Sequence, residues 1–196
     1  MTRRANDAYY TPDALAERLV SILPLRANHT VCEPHAGGGA FLRAIEKRTP
    51  HTVAMDIDPE CPVLRTVTHA IQQDFLMEDL RAGHGWPERP FNWVIGNPPF
   101  EDAEKHVRHA LSLASDGVAF LLRLAFLESV KREAFWEQHP CSDIVVLNKR
   151  PCFTGNGKTD SCAYGFFIWN TKYPTQPGRT CLHVLSSVQR LLPDGE

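Results

Sequence analysis

Asn97-Pro98-Pro99-Phe100 follows directly on the apolar run 91–95 and is a poor choice of residues for stability alone. Two consecutive prolines stiffen the segment, remove two backbone donors and leave its carbonyls as acceptors. The Asn97 side-chain oxygen and the next carbonyl, that of Pro98, can together hold a planar NH2 group. Phe100 can then stack on the ring that bears it. A strand-terminating turn is the plain alternative for the same four residues.

Three further segments carry polar groups where strands end. Glu33-Pro34-His35-Ala36 leads into Gly37-Gly38-Gly39. Such glycines let backbone approach a ligand closely and permit positive φ; a tight strand-to-helix turn would also use them. The loop lacks the G-K-S/T ending and the G-x-G-x-x-G spacing of phosphate cradles, and an acidic residue before it suits an ammonium group. Asp56 lies some twenty residues on, where a carboxylate can accept from ribose hydroxyls. Asp58-Pro59 reads instead as a cap followed by proline at a first helical position. Asp74-Phe75 pairs an acceptor with an aromatic ring, which suits an adenine and its exocyclic amine, or serves structure only.

These residues need a scaffold that brings strand ends together. Apolar runs at 29–33, 52–57, 70–73, 91–95, 118–124, 143–148 and 162–170 read as strands. Amphipathic stretches at 12–23, 41–48, 101–115 and 128–138 read as helices, with a short helix starting near Pro59. Residues 78–90 and 154–160 read as loops. This alternation predicts an α/β fold: a doubly wound, mostly parallel, seven-stranded sheet ending in an antiparallel hairpin, because no helix separates the last two strands. The 196 residues make one domain.

Composition narrows the class. With 21 basic and 23 acidic residues the net charge is −2, which excludes a strongly basic nucleic-acid binder held by charge alone. Residues 146–180 are locally basic, with Lys149, Arg150, Lys158, Lys172 and Arg179 against Asp160. No run of about 18 apolar residues offers a membrane span, and residues 1–10 have no signal-type apolar segment. The six cysteines form no C-x-x-C pair and the nine histidines no H-x-x-x-H, so no metal is expected. Cys32 and Cys162 read as small core residues, and a reduced, cytoplasmic setting fits.

Taken together, Tyr10-Thr11-Pro12, the 31–41 stretch, Asp56, Asp74-Phe75, Asn97-Pro98-Pro99-Phe100 and residues 150–161 resemble the class I S-adenosylmethionine-dependent methyltransferases. Within these they are most similar to N6-adenine DNA methyltransferases of the small, stand-alone phage and prophage kind. The resemblance implies a Rossmann-like methyltransferase domain spanning 1–196. S-Adenosylmethionine would be held by Thr11, Glu33, Pro34, Gly37, Gly38, Gly39, Asp56, Asp74 and Phe75, with Glu33 near its ammonium. Asn97, Pro98, Pro99 and Phe100 would be catalytic. Phe153 and Lys158 would meet the substrate, a nucleic acid and most simply DNA in a bacterium or its host. No separate target-recognition domain fits the length, so weak sequence discrimination, short recognition sites or a partner protein that supplies specificity is expected. Ribosomal RNA adenine-N6 or guanine-N2 methylation, protein glutamine methylation and an idle accessory subunit are the alternatives.

Overall fold

Side chains alternate between two buried faces along the central strands, so the sheet must be covered on both sides. On one face lie Trp93, Ile95, Ala119, Leu121, Phe166 and Ile168, packed with the first two helices. On the other lie Val94, Val118, Phe120, Leu122, Phe167 and Trp169, packed with the last two. The computed structural model describes residues 10–67, 70–77, 90–153 and 160–185.

The elements run α1 Asp13–Ser21, β1 Val31–Glu33, α2 Ala40–Glu46, β2 Thr52–Asp56, β3 Ala70–Gln72, β4 Phe91–Gly96, α3 Ala103–Leu113, β5 Ala114–Arg123, α4 Glu133–Gln138, β6 Asp143–Val146, β7 Tyr164–Asn170 and β8 Cys181–Val184. The sheet order is β3-β2-β1-β4-β5-β7-β6-β8. Only β7 runs against its neighbours, pairing antiparallel with β5 and β6. The mostly parallel, doubly wound sheet and its terminal hairpin are as the sequence predicts.

The sheet has eight strands, not seven. β8 adds to the edge, parallel to β6. Its side chains are mostly exposed, so it carries none of the apolar alternation by which a strand is read. β5 also begins at Ala114 rather than 118, straight out of α3. Its polar start is tolerated because Asp116 accepts from Ser115 Oγ at 2.9 Å and from Asn92 Nδ2 at 3.4 Å. The helix read near Pro59 is a 3-10 turn at Pro62–Arg65, and of 128–138 only Glu133–Gln138 is α-helical. Cys32 lies in the core, whereas Cys162 is half-buried at its margin. Most of the 78–90 loop and of the 154–160 loop falls outside the described residues.

In the strand order, β1 has β2 on one side and β4 on the other, so the chain winds away from it in both directions. Crevices that bind ligands open at such a reversal, beyond the carboxyl ends of the strands. The ends concerned are Glu33 and Gly96-Asn97.

Candidate active site

β1 delivers Glu33 into the interior, with 2% of its surface exposed. Burial pushes its carboxyl well above the usual carboxylate range; a hydrogen bond from the Leu42 backbone and the charge of Arg43 oppose this only in part. Its Oε2 is buried and has no hydrogen-bond partner among the described residues. A buried acceptor without a donor costs free energy unless something fills the place.

The loop after β1 is held from three sides. Gly37 N–H donates to Asp56 Oδ2 at 2.8 Å, Cys61 Sγ donates to Gly37 O at 3.1 Å, and Arg43 Nη1 donates to Gly38 O at 2.8 Å. Gly39 caps α2 with φ 77°, and a Cβ there would stand 2.7 Å from Val63. Glycine is therefore required by both conformation and space. The ring of Tyr10 lies over Gly37 and Gly38, and a Cβ on Gly37 would come within 3.2 Å of it.

Asp56, at the end of β2, spends its second oxygen on Asp58 N–H at 2.9 Å. It thereby fixes the β1 and β2 loops to each other while each oxygen keeps a further lone pair. Asp58 closes a turn by accepting from Glu60 N–H at 3.0 Å but caps no helix, since the 3-10 turn begins at Pro62 with Cys61 before it. Beyond β3, Asp74 is exposed and accepts from Leu76 N–H at 2.9 Å.

Phe75 is 2% exposed, and its ring is enclosed by His35, His106 and His109 at centroid distances of 5.5, 6.1 and 4.9 Å. Asp74 is thus the polar group that this strand end offers to solvent. His35 Nε2 and His106 Nδ1 share a hydrogen bond of 2.9 Å. Burial holds both rings neutral: it lowers His35 well below its usual value, with His106 adding to the effect, and lowers His106 to about 4 against the pull of Asp74 and Asp102. His35 Nδ1 has no partner among the described residues and lies close above Gly96, beside Glu33.

β4 ends at Gly96, and Asn97 emerges toward Thr11, to whose Oγ1 it donates from Nδ2 at 3.3 Å. Pro98 is buried, and Asn97, Pro99 and Phe100 are half-buried. Phe100 meets Tyr164 at 5.5 Å between centroids and lies under the Arg123 guanidinium, 4.7 Å away. Phe153, 8% exposed, packs edge-on against Tyr164 at 5.2 Å.

The fold therefore gathers Thr11, Glu33, the glycine loop, Asp56, Asp74 and Asn97–Phe100 along one carboxyl edge, with Phe153 behind Phe100. Lys158 lies outside the described residues. The locally basic stretch is divided. Lys149 and Arg150 follow β6 on this edge. Lys172 follows β7 at the opposite edge, near His29 and Asp116, and Arg179 precedes β8 there. A charge count along the chain cannot see that β7 carries it from one edge of the sheet to the other.

His106, Arg123 and Tyr164 carry no signal of function in the sequence; Tyr10 belongs to the Tyr10-Thr11-Pro12 motif but has no role of its own there. Arg123 ends β5 and Tyr164 opens β7, and they become neighbours only through the β5–β7 register.

Whether these residues suit S-adenosylmethionine can be judged from the edge itself. The buried Glu33 Oε2 awaits a donor, Gly37 and Gly39 are closely covered, and Asp56 and Asp74 present carboxylates further along. An ammonium, ribose hydroxyls and an adenine amine match these three in order.

No protein-family model matches the chain. A 108-residue segment is 25% identical to the methylase subunit of the type I restriction enzyme MjaIX of Methanocaldococcus jannaschii, and the match spans 49% of this chain but only 19% of that subunit. Among solved structures, a protein of Listeria monocytogenes described as a class I S-adenosylmethionine-dependent methyltransferase superposes with a TM-score of 0.65, at 16% identity over 91% of this chain and 66% of the other. The methyltransferase subunit of a type I restriction-modification system from Streptococcus thermophilus gives 0.66, at 15% identity over 92% of this chain and 49% of the other. The 23S rRNA methyltransferase ErmE gives 0.62, at 17% identity over 84% and 71%. The fold is that of the class I S-adenosylmethionine-dependent methyltransferases, and curated and structural neighbours alike point to that class, type I restriction-modification methylases among them.

Proposed function

We propose that this chain is an S-adenosylmethionine-dependent methyltransferase that modifies the N6 amine of adenine in DNA. The observation that carries the reading is Asn97-Pro98-Pro99-Phe100 at the end of β4, hydrogen-bonded to Thr11 and one strand away from the buried Glu33 Oε2, which has no partner among the described residues. The curated relative, a type I restriction methylase subunit, supports DNA as the substrate.

Thr11, Glu33, Pro34 and Gly37–Gly39 would hold the methionyl end of the cofactor, Asp56 its ribose, and Asp74 its adenine, with Phe75 supporting that strand end from the core. When bound, S-adenosylmethionine supplies an electrophilic methyl group on a sulfonium sulfur. The remaining work falls to the protein. The adenine amine is nearly non-basic because its lone pair is delocalised into the ring. Asn97 Oδ1 and the Pro98 carbonyl would accept hydrogen bonds from its two N–H groups and turn the nitrogen toward sp3, which restores the lone pair as a nucleophile; as the nitrogen takes the methyl group, its surplus proton passes to solvent. Pro99 stiffens the segment so that both acceptors stay in place. Catalysis then rests on positioning and electrostatics rather than on a strong base. A duplex base cannot reach such a pocket while stacked, so it is flipped out and held against Phe100. Phe153 backs that wall, and Lys158 lies in the segment that would meet the strand.

Target selection would fall to the segment between β6 and β7 or to a specificity partner. The reading places the protein in the cytoplasm with its substrate. Among the described residues no helix is long and apolar enough to cross a membrane.

The test is incubation with labelled S-adenosylmethionine and a panel of DNA, RNA and protein, followed by nucleoside and peptide mass spectrometry. N6-methyladenine in DNA is the expected product. Label confined to RNA, to guanine or to protein glutamine overturns the reading.

A further inference from the structure

Arg123 ends β5, next in the sheet to the strand that carries Phe100. Its guanidinium carbon stands 4.7 Å over the centre of the Phe100 ring. Its Nε donates to the Tyr164 hydroxyl at 3.4 Å, the pairing that the Arg123–Tyr164 register imposes. The Asp160 carboxylate, which accepts from Cys162 N–H at 2.9 Å, lies near enough to that hydroxyl for each to bear on the other's ionisation. The guanidinium is thus oriented by the Tyr164 hydroxyl.

Tyr164 is 1% exposed and also touches Phe100 and Phe153, so the phenol that aims Arg123 is itself immobile. Asp160 N–H donates to Pro151 O at 3.1 Å, which joins the two ends of the intervening segment at the foot of the same cluster. Nothing in the chemistry described for Asn97 and Pro98 uses Arg123. Yet holding a cation over an aromatic face costs a half-buried arginine its rotamer freedom, so the contact is not made for nothing.

We propose that Arg123 is a positioning residue for Phe100: anchored through Tyr164, its guanidinium fixes the tilt of the Phe100 ring and draws π density from it, so that the ring presents an ordered, electron-poor face to the electron-rich aromatic base. The role rests on the function proposed above. It acts through Phe100 and not by contact with the substrate.

The experiment is a double-mutant cycle on Arg123 and Phe100. It is run on whichever nucleobase substrate the wild type methylates, so that a wild type active on RNA would defeat the DNA reading and leave this test standing, whereas one active only on peptide would overturn both. Arg123→Met should lower kcat about tenfold or more, with the Kd for S-adenosylmethionine unchanged within twofold by calorimetry. Tyr164→Phe, which keeps the ring and removes only the hydroxyl, should lose several-fold in kcat and covers the case in which Arg123→Met folds poorly. Arg123→Lys should restore part of the activity, since it returns the charge without the planar stack. In a Phe100→Leu background Arg123→Met should cost less than twofold further. With 2-aminopurine in place of the target base, Arg123→Met should alter the fluorescence of the bound, flipped base, a signal that fold stability alone would not move. Equal losses from Arg123→Met in the wild-type and Phe100→Leu backgrounds would show a direct substrate contact and overturn the proposal. So would a kcat within twofold of wild type for both Arg123→Met and Tyr164→Phe.

Discussion

Asn97 donates from Nδ2 to Thr11 Oγ1 at 3.3 Å, across 86 positions of the chain. The bond decides which way the amide faces. With its nitrogen turned to Thr11, the amide presents Oδ1 on the other side, as acceptance from a target amine requires. Thr11→Val keeps shape and removes the acceptor. One neutral hydrogen bond is worth about 1 kcal/mol, so kcat should fall roughly fivefold, and Thr11→Ser should recover it. Steady-state kinetics on the three proteins would check this; a Thr11→Val enzyme altered only in KM for the cofactor would place the hydroxyl's work on the methionine carboxylate instead.

Removal of Asn97 itself is a different order of change. Asn97→Ala deletes one of two preorganised acceptors, and groups of that kind contribute roughly 100- to 1,000-fold to rate. Transfer should drop to the detection limit while calorimetry still shows cofactor binding. Full transfer by Asn97→Ala with tritiated cofactor would end the assignment.

What was legible in the sequence follows a physical division. Asn97, Glu33, the glycines and Asp56 stand where strands stop, and polar or conformationally special residues at such places have few structural uses, so their type and position speak. Arg123, Tyr164 and His106 have no such signature. An arginine closing one apolar run or a tyrosine opening another looks like any strand end until the β5–β7 register sets one beside the other. His106 looks like a polar residue on a helix until α3 turns it inward to His35. β8 stayed hidden because an edge strand with exposed side chains has no pattern to show. The basic stretch misled for the same reason in reverse: neighbours in sequence became residents of opposite edges.

Glu33 sets stability against function. Its carboxyl is raised by burial, so the stabilising, protonated form is fully present below the ordinary value of 4.5 and is lost as pH rises through the higher folded value. At neutral pH the folded protein therefore carries a strained carboxyl. Glu33→Gln keeps the shape without the charge. It should raise Tm at pH 7.5 by several degrees and leave Tm little changed near pH 4.5. Loss of a charge-assisted contact costs roughly 1.5–3 kcal/mol, so cofactor affinity should fall tenfold or more. Differential scanning fluorimetry and calorimetry on the same preparations would show whether the two effects separate; a destabilised Glu33→Gln at pH 7.5 contradicts the burial argument.

His106 gives the opposite slope. Burial lowers it from 6.5 to about 4, with His109 and Lys105 adding to the fall and Asp74 and Asp102 opposing it. A depressed value means stability that is present above 6.5 and lost as pH falls toward 4, because the unfolded chain takes up the proton first. Linkage makes the loss about 2 kcal/mol between pH 7 and pH 5, and His35, lowered by the same burial, adds to it. Urea unfolding at the two pH values measures the difference directly. In His106→Gln the difference should shrink; an unchanged difference would place the pH sensitivity elsewhere.

Gly117 tests the packing that holds the edge in register. A Cβ there would stand 2.6 Å from two atoms of the Trp93 ring and 2.7 Å from the carbonyl of Trp169. Neither can give way cheaply. Trp93 is 2% exposed, with core residues around it, and the Trp169 carbonyl belongs to β7, whose ladder with β5 runs from Gly117↔Asn170 to Arg123↔Tyr164. Overpacking of this kind costs roughly 1–3 kcal/mol, and each kcal/mol lowers Tm by about 2–4 °C at this chain length. Gly117→Ala should therefore melt several degrees below wild type in scanning calorimetry. Gly117 lies at the far end of β5 from Arg123, so kcat measured well below the transition should stay near the wild-type value. A marked loss of kcat in folded Gly117→Ala would mean that the β5–β7 register, and not the local side chains alone, sets the geometry at Phe100.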